Sequence, residues 1–397
     1  MFKQFIARIG LKKIFIVAIG LNLTLIIIGV FYLLRSYNKI IVKPNQPLAT
    51  TRSTPSPTPT PDPLAPYAIL LLGYGGGNHE GGLLTDSIIV ARVEPRNQKI
   101  ILISIPRDLW VPLPLDKDST TNYKVNAAYA IGSDDRQYPD KKIEFTGPAG
   151  GGQMAKTVIS RVLGFNIDYF VAVDFQAFVR IIDNLGGINV NVQKTFDDFL
   201  YPIEENIKET CNKSDEEIAA LTATLSGQKL DEQFTCRYET LHFDRGLNVM
   251  DGTTALKFAR SRHSLTDGGD FNRTARQKLI IDAVRQKIIN VNFIPKIIPL
   301  IQTLSNHLQT DIEVKIMEQF IAKYSQLSQY QISSLALTDQ NVLENGISSN
   351  GQYVLLPKAG ENNWTQIHQF ILDPTLLTPT PTVRPSPKPL ETQRFTN

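Results

Sequence analysis

Cysteine is almost missing from this chain: two residues in 397, Cys211 and Cys236. Neither has flanking Cys or His partners, which makes the pair a poor zinc site. The pair either forms a disulfide, worth about 3 kcal/mol in an oxidising space, or remains two free thiols. Charge of one sign is not in excess either, and the net +3 gives bulk support to no nucleic-acid role. The five histidines are scattered. His79-Glu80 has no second histidine four positions on, which removes a zinc-protease helix. No G-x-S-x-G elbow occurs. The loop from Gly73 to Gly82 has no Lys followed by Ser or Thr, so it is not a P-loop. Its Gly73-Tyr74-Gly75 precedes a strand pattern, whereas a dinucleotide fold needs a helix there. No internal repeat is present.

What the chain does have begins with one charge-free apolar run, Ile14 to Leu34. At ~1.5 Å per residue it reaches about 31 Å, the thickness of a bilayer core. It is too long for a signal peptide and lacks a cleavage site, so it reads as a retained transmembrane anchor over 14–34, after a cytoplasmic segment 1–13. Lys3, Arg8, Lys12 and Lys13 precede it; Arg35, Lys39 and Lys43 follow. That balance favours a cytoplasmic N-terminus only slightly. Residues 35–66 read as a Pro/Thr-rich extracytoplasmic stalk, with Pro44 to Pro66 an extended spacer. Residues 374–397 are a second Pro/Thr tract, expected as a disordered tail.

Between them, 67–373 is the globular part. Ala68 to Leu72 is a continuous apolar strand. Ser87 to Val93 and Lys99 to Ile105 form a hairpin; with Glu94 facing Lys99, paired positions place Asp86 beside Arg107 at its open end. Helix from Met154 to Leu163, strand from Tyr169 to Val173, helix capped by Asp174 and strand from Ile188 to Val192 then alternate. The expected fold is α/β, a three-layer sandwich around a central mixed sheet, preceded by the transmembrane helix. The polar stretch at about 203–236, carrying both cysteines, is a surface insertion.

Arginine is concentrated in one stretch: Arg260-Ser261-Arg262-His263, then Asp270-Phe271-Asn272-Arg273-Thr274-Ala275-Arg276-Gln277, then Arg285. Asp251 caps a helix that delivers Arg260 and Arg262 at its end, and Asn272 to Ile289 forms another. Gathered guanidiniums repel one another and are compensated best by polyvalent anions, above all phosphates. Arg276 and Arg285 read as ordinary surface charges, and His263 as structural.

Several ordered strings resemble the LytR-CpsA-Psr family of cell-wall ligases: Thr85-Asp86-Ser87, Ile105-Pro106-Arg107-Asp108, Lys124 to Tyr129, Asp183 to Ile188 and the arginine stretch. The resemblance runs from about Tyr67 to Phe370. It implies a single-pass protein of the cell membrane with an extracytoplasmic catalytic domain. It implies transfer of a glycosyl-phosphate polymer from a polyprenyl-pyrophosphate carrier to peptidoglycan, with the lipid tail in an apolar tunnel. By motif match Arg107, Arg260, Arg262, Arg273 and Gln277 grip the phosphates, Lys124 is a supporting cation, and Asp86 holds Mg²⁺ or another divalent cation. Asp270 either orients an arginine or activates the acceptor hydroxyl, or else caps the following helix. One departure stands out: Gly75 occupies the position of the family's usual loop aspartate. Glu80 or Asp86 compensates, or metal dependence is weaker, or glycine N–H groups approach the phosphates. Two rival readings are a pyrophosphohydrolase acting on the same lipid and a non-catalytic module that binds lipid pyrophosphate.

Overall fold

A computed structural model describes residues 40–45, 62, 64–77, 81–290, 304, 306–313, 315–317, 319 and 329–374. The anchor expected at 14–34, most of the stalk and the tail beyond 374 lie outside these residues. Among the described residues no helix is long and apolar enough to cross a membrane.

Strand β1 (Tyr67–Tyr74) alternates half-buried and buried side chains along its length, so both of its faces meet protein. It runs antiparallel to β2 (Thr85–Glu94), which turns through Pro95–Asn97 into β3 (Lys99–Ser104). Glu94 faces Lys99, the register expected from the sequence. A small ribbon of β4 (Trp110–Leu113) and β5 (Thr121–Lys124) leads into α1 (Ala127–Ser133) and α2 (Gly150–Leu163). Helix α2 starts four residues before the expected Met154, because Gly150 and Gly151 let it pack closely against α1 and Gly152 lets it pack against the sheet. A Cβ at Gly152 would lie 2.2 Å from the Phe170 ring, so only glycine permits this approach. Gly164 ends the helix in the left-handed region.

Next, β6 (Tyr169–Asp174) pairs parallel with β1 and feeds α3 (Phe175–Asn184), whose first turn is capped by Asp174. The alternation then breaks. Strand β7 (Ile188–Val192) does not extend the central sheet. After β8 (Phe196–Pro202), the polar stretch folds as α4 (Asp215–Thr224) and α5 (Gln228–Asp231), and Cys211 and Cys236 are joined in a disulfide. The chain returns as β9 (Tyr238–Phe243), paired with β8, and β10 (Gly246–Met250), paired with β7. Helices α6 (Gly252–Arg260) and α7 (Gly269–Asn290) follow, then β11 (Leu308–Thr310), β12 (Gln331–Ala336), the hairpin of β13 (Leu343–Ile347) and β14 (Tyr353–Pro357), and α8 (Thr365–Leu372).

The central sheet has the order β11-β6-β1-β2-β3-β12 and is mixed: β1/β6 and β3/β12 are parallel, the remaining pairs antiparallel. One face packs Leu70, Leu72, Val90 and Ala172 against α1, α2 and α8 in the main apolar core. The other face looks towards α3, α6 and α7, whose apolar sides belong to separate clusters built on Ile182, Phe258 and Ala177. Between that face and those helices the packing leaves room.

The domain begins earlier than the boundary expected at residue 67. Ile40 and Val42 are buried, and the Val42 N–H donates to Thr310 O at 2.9 Å. Asn45 Nδ2 donates to Thr146 O at 3.2 Å. The β-branched run Ile40-Ile41-Val42 lies along β11 because it is too apolar to remain in solvent, so part of the expected stalk belongs to the domain.

Candidate functional site

Helix α6 exists to hold its own end in place. Asp251 accepts the Thr254 N–H at 2.7 Å, and Ala255, Phe258 and Ala259 bury one face. The chain leaves the helix through Ser261, Arg262 and His263, a segment governed by Asp198 on β8. That carboxylate is fully buried. It accepts Ser261 Oγ at 2.6 Å, the Arg262 N–H at 2.9 Å and the His263 N–H at 3.1 Å through one oxygen. The Leu200 N–H reaches its other oxygen at 3.1 Å. Burial alone would raise its pKa, but the four hydrogen bonds prevail and hold it below the ordinary carboxylate value. His263 itself bonds Leu200 O through Nδ1 at 3.1 Å, a structural role.

Arg276, expected on the surface, is instead buried beneath this segment. Its Nε donates to Phe258 O at 3.1 Å, its Nη2 to Ser261 O, and its Nη1 to Asp267 Oδ2 at 2.6 Å. The carbonyls at a helix C-terminus need donors, and a planar guanidinium supplies several at once. Arg285 donates to Tyr330 O at 3.3 Å, half-buried on α7.

A cavity of about 610 Å³ lies between the open face of the sheet and helices α3, α6 and α7. Leu71, Ile89, Val171, Phe178, Ile280 and Val284 make its body apolar. Its polar residues come from separate parts of the chain: Asp86 and Arg107 from the β2–β3 hairpin, Arg260 and Arg262 from the end of α6, and Arg273 and Gln277 from α7. Arg107 Nη1 lies 2.5 Å from Asp86 Oδ1, so the hairpin register brings together the carboxylate and guanidinium as expected. Ser87 Oγ donates to Gln277 Oε1 at 3.2 Å, tying the sheet to α7. A cavity greasy within and cationic at one side suits an amphiphile with an anionic head.

Arg260 stacks 4.2 Å over the Phe175 ring and pairs with Glu204 at 3.0 Å. Glu204 opens the disulfide-bearing insertion, so the insertion supplies a carboxylate where a phosphate oxygen is expected. Glu204→Gln should tighten binding of inorganic pyrophosphate about threefold, the scale of a half-exposed ion pair, measured by calorimetry.

Six expected residues thus meet in one place: Asp86, Arg107, Arg260, Arg262, Arg273 and Gln277. Lys124 does not line the cavity. It bonds Asp108 Oδ1 at 2.6 Å, and Asp108 Oδ2 lies 3.6 Å from Arg107 Nε, so Lys124 acts at one remove. Helix α7 begins at Gly269, which places Asp270 in its first turn; the Asp270 side chain lies outside the described residues, as does Glu80. The glycine loop has its own reason. Gly76 and Gly77 have φ of 73°, and a Cβ on Gly76 would fall 2.8 Å from that of Asp174. Among the described residues no group of three or more His, Cys, Asp or Glu could cage a metal. Nothing in the sequence marked Asp198 or the burial of Arg276, since both act through backbone groups of a loop whose path sequence does not reveal.

Comparison with known proteins gives the following. The sequence pattern of the LytR_cpsA_psr family matches residues 32–368. The polyisoprenyl-teichoic acid–peptidoglycan teichoic acid transferase TagV of Bacillus subtilis is 28% identical over 297 residues, covering 74% of this chain and 61% of that protein. The biofilm regulatory protein A of Streptococcus mutans is 28% identical over 256 residues, covering 63% of this chain and 50% of that protein. The chain therefore spans less than two thirds of these two relatives' length. The crystal structure of B. subtilis TagV superposes with a TM-score of 0.50 at 26% identity, covering 80% of this chain and 99% of that one.

Proposed function

The chain belongs to the LytR-CpsA-Psr family, and from that membership we propose that it is a phosphotransferase of cell-wall biogenesis. It moves a glycosyl-phosphate polymer from a polyprenyl-pyrophosphate carrier to a peptidoglycan hydroxyl. The observation that carries this reading is the single cavity with an apolar body and arginines from three chain segments. The name of one relative points the same way: TagV is called a polyisoprenyl-teichoic acid–peptidoglycan teichoic acid transferase.

The isoprenoid tail fills the cavity's apolar body, which recovers roughly 0.8 kcal/mol for each methylene buried. That burial holds the pyrophosphate against Arg107, Arg262 and Arg273. A pyrophosphate diester carries about two negative charges, and more charge gathers on the departing polyprenyl phosphate as the bond breaks. Fixed guanidiniums stabilise that charge without a covalent intermediate. Gln277 adds an uncharged donor, and Arg260, once released from Glu204, a further cation.

Asp86 would hold a divalent cation, giving up its ion pair with Arg107 to do so. Magnesium keeps most of its waters and takes one or two carboxylates together with substrate phosphates, so a single hard carboxylate beside the arginines fits it. When bound, the ion would neutralise phosphate charge. We place the domain outside the cell membrane, tethered through residues 14–34. The Cys211–Cys236 disulfide favours that oxidising side.

Ile281→Trp, which fills the cavity body, tests the reading. The KM for a long-chain polyprenyl-pyrophosphate donor should rise at least about tenfold, while a short-chain donor is little affected. Labelled polymer must end on peptidoglycan. If the only product is free polymer phosphate, the protein is a hydrolase and the transferase reading fails.

A further inference from the structure

A second cavity of about 260 Å³ adjoins the first and shares Asp86, Ser87, Arg107, Arg273 and Gln277 with it. Its far wall has a different chemistry. Thr338, Asp339 and Gln340 come from the loop after β12, and Tyr353 opens β14. Asp339 and Tyr353 are exposed. One residue sets them both: Tyr353 Oη donates to Asn345 Oδ1 at 2.7 Å, and Asn345 Nδ2 donates to Asp339 Oδ2 at 3.3 Å. The wall is also fastened to the arginine site, because the Leu355 N–H donates to Asp108 O at 2.9 Å. This cavity falls below the roughly 300–1,000 Å³ usual for a drug-sized ligand, a size suited to a single sugar ring. An aromatic face, a carboxylate and short polar side chains are what a sugar uses: hydroxyls donate to the carboxylate, and the ring's C–H face lies on the tyrosine.

Resting on the transferase reading above, we propose that this second cavity is the acceptor subsite. It holds one sugar of a peptidoglycan glycan strand, with Asp339 accepting ring hydroxyls and Tyr353 lying against the ring. Phosphoryl transfer requires the attacking and leaving oxygens roughly in line through phosphorus. A donor whose tail fills the apolar cavity directs its leaving phosphate that way, so the nucleophile enters from the other side of the shared arginines. The acceptor hydroxyl oxygen forms a bond to the phosphorus nearest the glycan. The bond from that phosphorus to the bridging oxygen breaks, and polyprenyl phosphate departs with the electron pair. The hydroxyl proton passes to water in the open cavity. Specificity for a sugar hydroxyl over water then resides in Asp339 and Tyr353, while donor affinity resides in the apolar cavity.

The full chain in detergent micelles, given a short-chain polyprenyl-pyrophosphate glycan as donor and an uncrosslinked glycan strand as acceptor, tests this. Asp339→Asn and Tyr353→Ala should each raise the acceptor KM about tenfold, the loss expected from one good contact to a charged or aromatic group, and leave the donor KM within twofold. Tyr353→Phe should keep most of the acceptor affinity. Both residues are exposed, so the variants fold. Unchanged acceptor KM in both variants, or a donor KM that rises in parallel, overturns the subsite. Binding of the glycan strand without donor, followed by NMR, separates the two readings. If the parent transfers nothing yet binds the strand, and Asp339→Asn abolishes that binding, the subsite stands and the transferase reading fails. If the parent binds no strand and the acceptor KM ignores both variants, the second cavity admits only water.

Discussion

Arg262→Ala is expected to lower kcat for glycosyl-phosphate transfer by about 10³-fold, with donor KM rising about tenfold at most. The reason is where charge goes during the reaction. The ground-state donor already carries about two negative charges, and several cations share them. The transition state adds charge to the leaving phosphate, so a guanidinium fixed beside it contributes more there than in the ground state. Arg262 is fixed: its own N–H is held at 2.9 Å by the buried Asp198 carboxylate, and it lines the cavity together with Arg107 and Arg273. Arg262→Lys keeps the charge and loses the planar fork, so it should recover only part of the rate. Steady-state kinetics with a lipid-linked donor reads kcat and KM. A melting curve distinguishes loss of this charge at the site from loss of the fold. A kcat within a few fold of the parent would refute the placement of phosphate at this arginine.

The arginine site was legible because its signals are local or follow from pairing arithmetic. The β2–β3 hairpin has a short connection, so one pair, Glu94 with Lys99, dictates the rest of the register and sets Asp86 against Arg107. The run Arg260 to His263 follows a helix whose cap and apolar stripe can be read directly. What escaped depends on contacts between distant segments. Strand β7 has an ordinary strand pattern, and only its partner shows that it pairs with β10 instead of joining the central sheet. Ile40 to Val42 lies beside a Pro/Thr tract, so composition assigned it to the stalk, whereas β11, more than two hundred residues later, supplies its place. Arg276 looks like any charged residue on a helix until the carbonyls of α6 are seen to end above it. Asp197 and Asp198 are adjacent and chemically identical; alternation along β8 sends one out and one in, and the sequence does not say which.

That pair gives the second large effect. Asp198→Asn should lower stability by about 3 kcal/mol at neutral pH, a fall in Tm of roughly 6–12 °C, and reduce transfer about 10²-fold. The carboxylate receives Ser261 Oγ and the N–H groups of Arg262, His263 and Leu200, and an amide offers one acceptor oxygen where two are used. The rate falls because the same hydrogen bonds aim Arg262, and a small misplacement of a charge-stabilising group is costly. Asp197→Asn is the control: that side chain is well exposed and pairs with His242 at 2.7 Å, so its loss should move Tm by about 1 °C. The pH dependence has a definite sign. The folded-state pKa of Asp198 lies below its ordinary 3.8, so its contribution is complete above that value and drains away as pH falls through the folded-state value. The Tm gap between parent and Asp198→Asn should therefore be constant from neutral pH down to about 4 and close at lower pH. A gap that persisted undiminished well below that range would mean that the asparagine costs stability through packing alone, and that ionised Asp198 is not what holds the arginine loop.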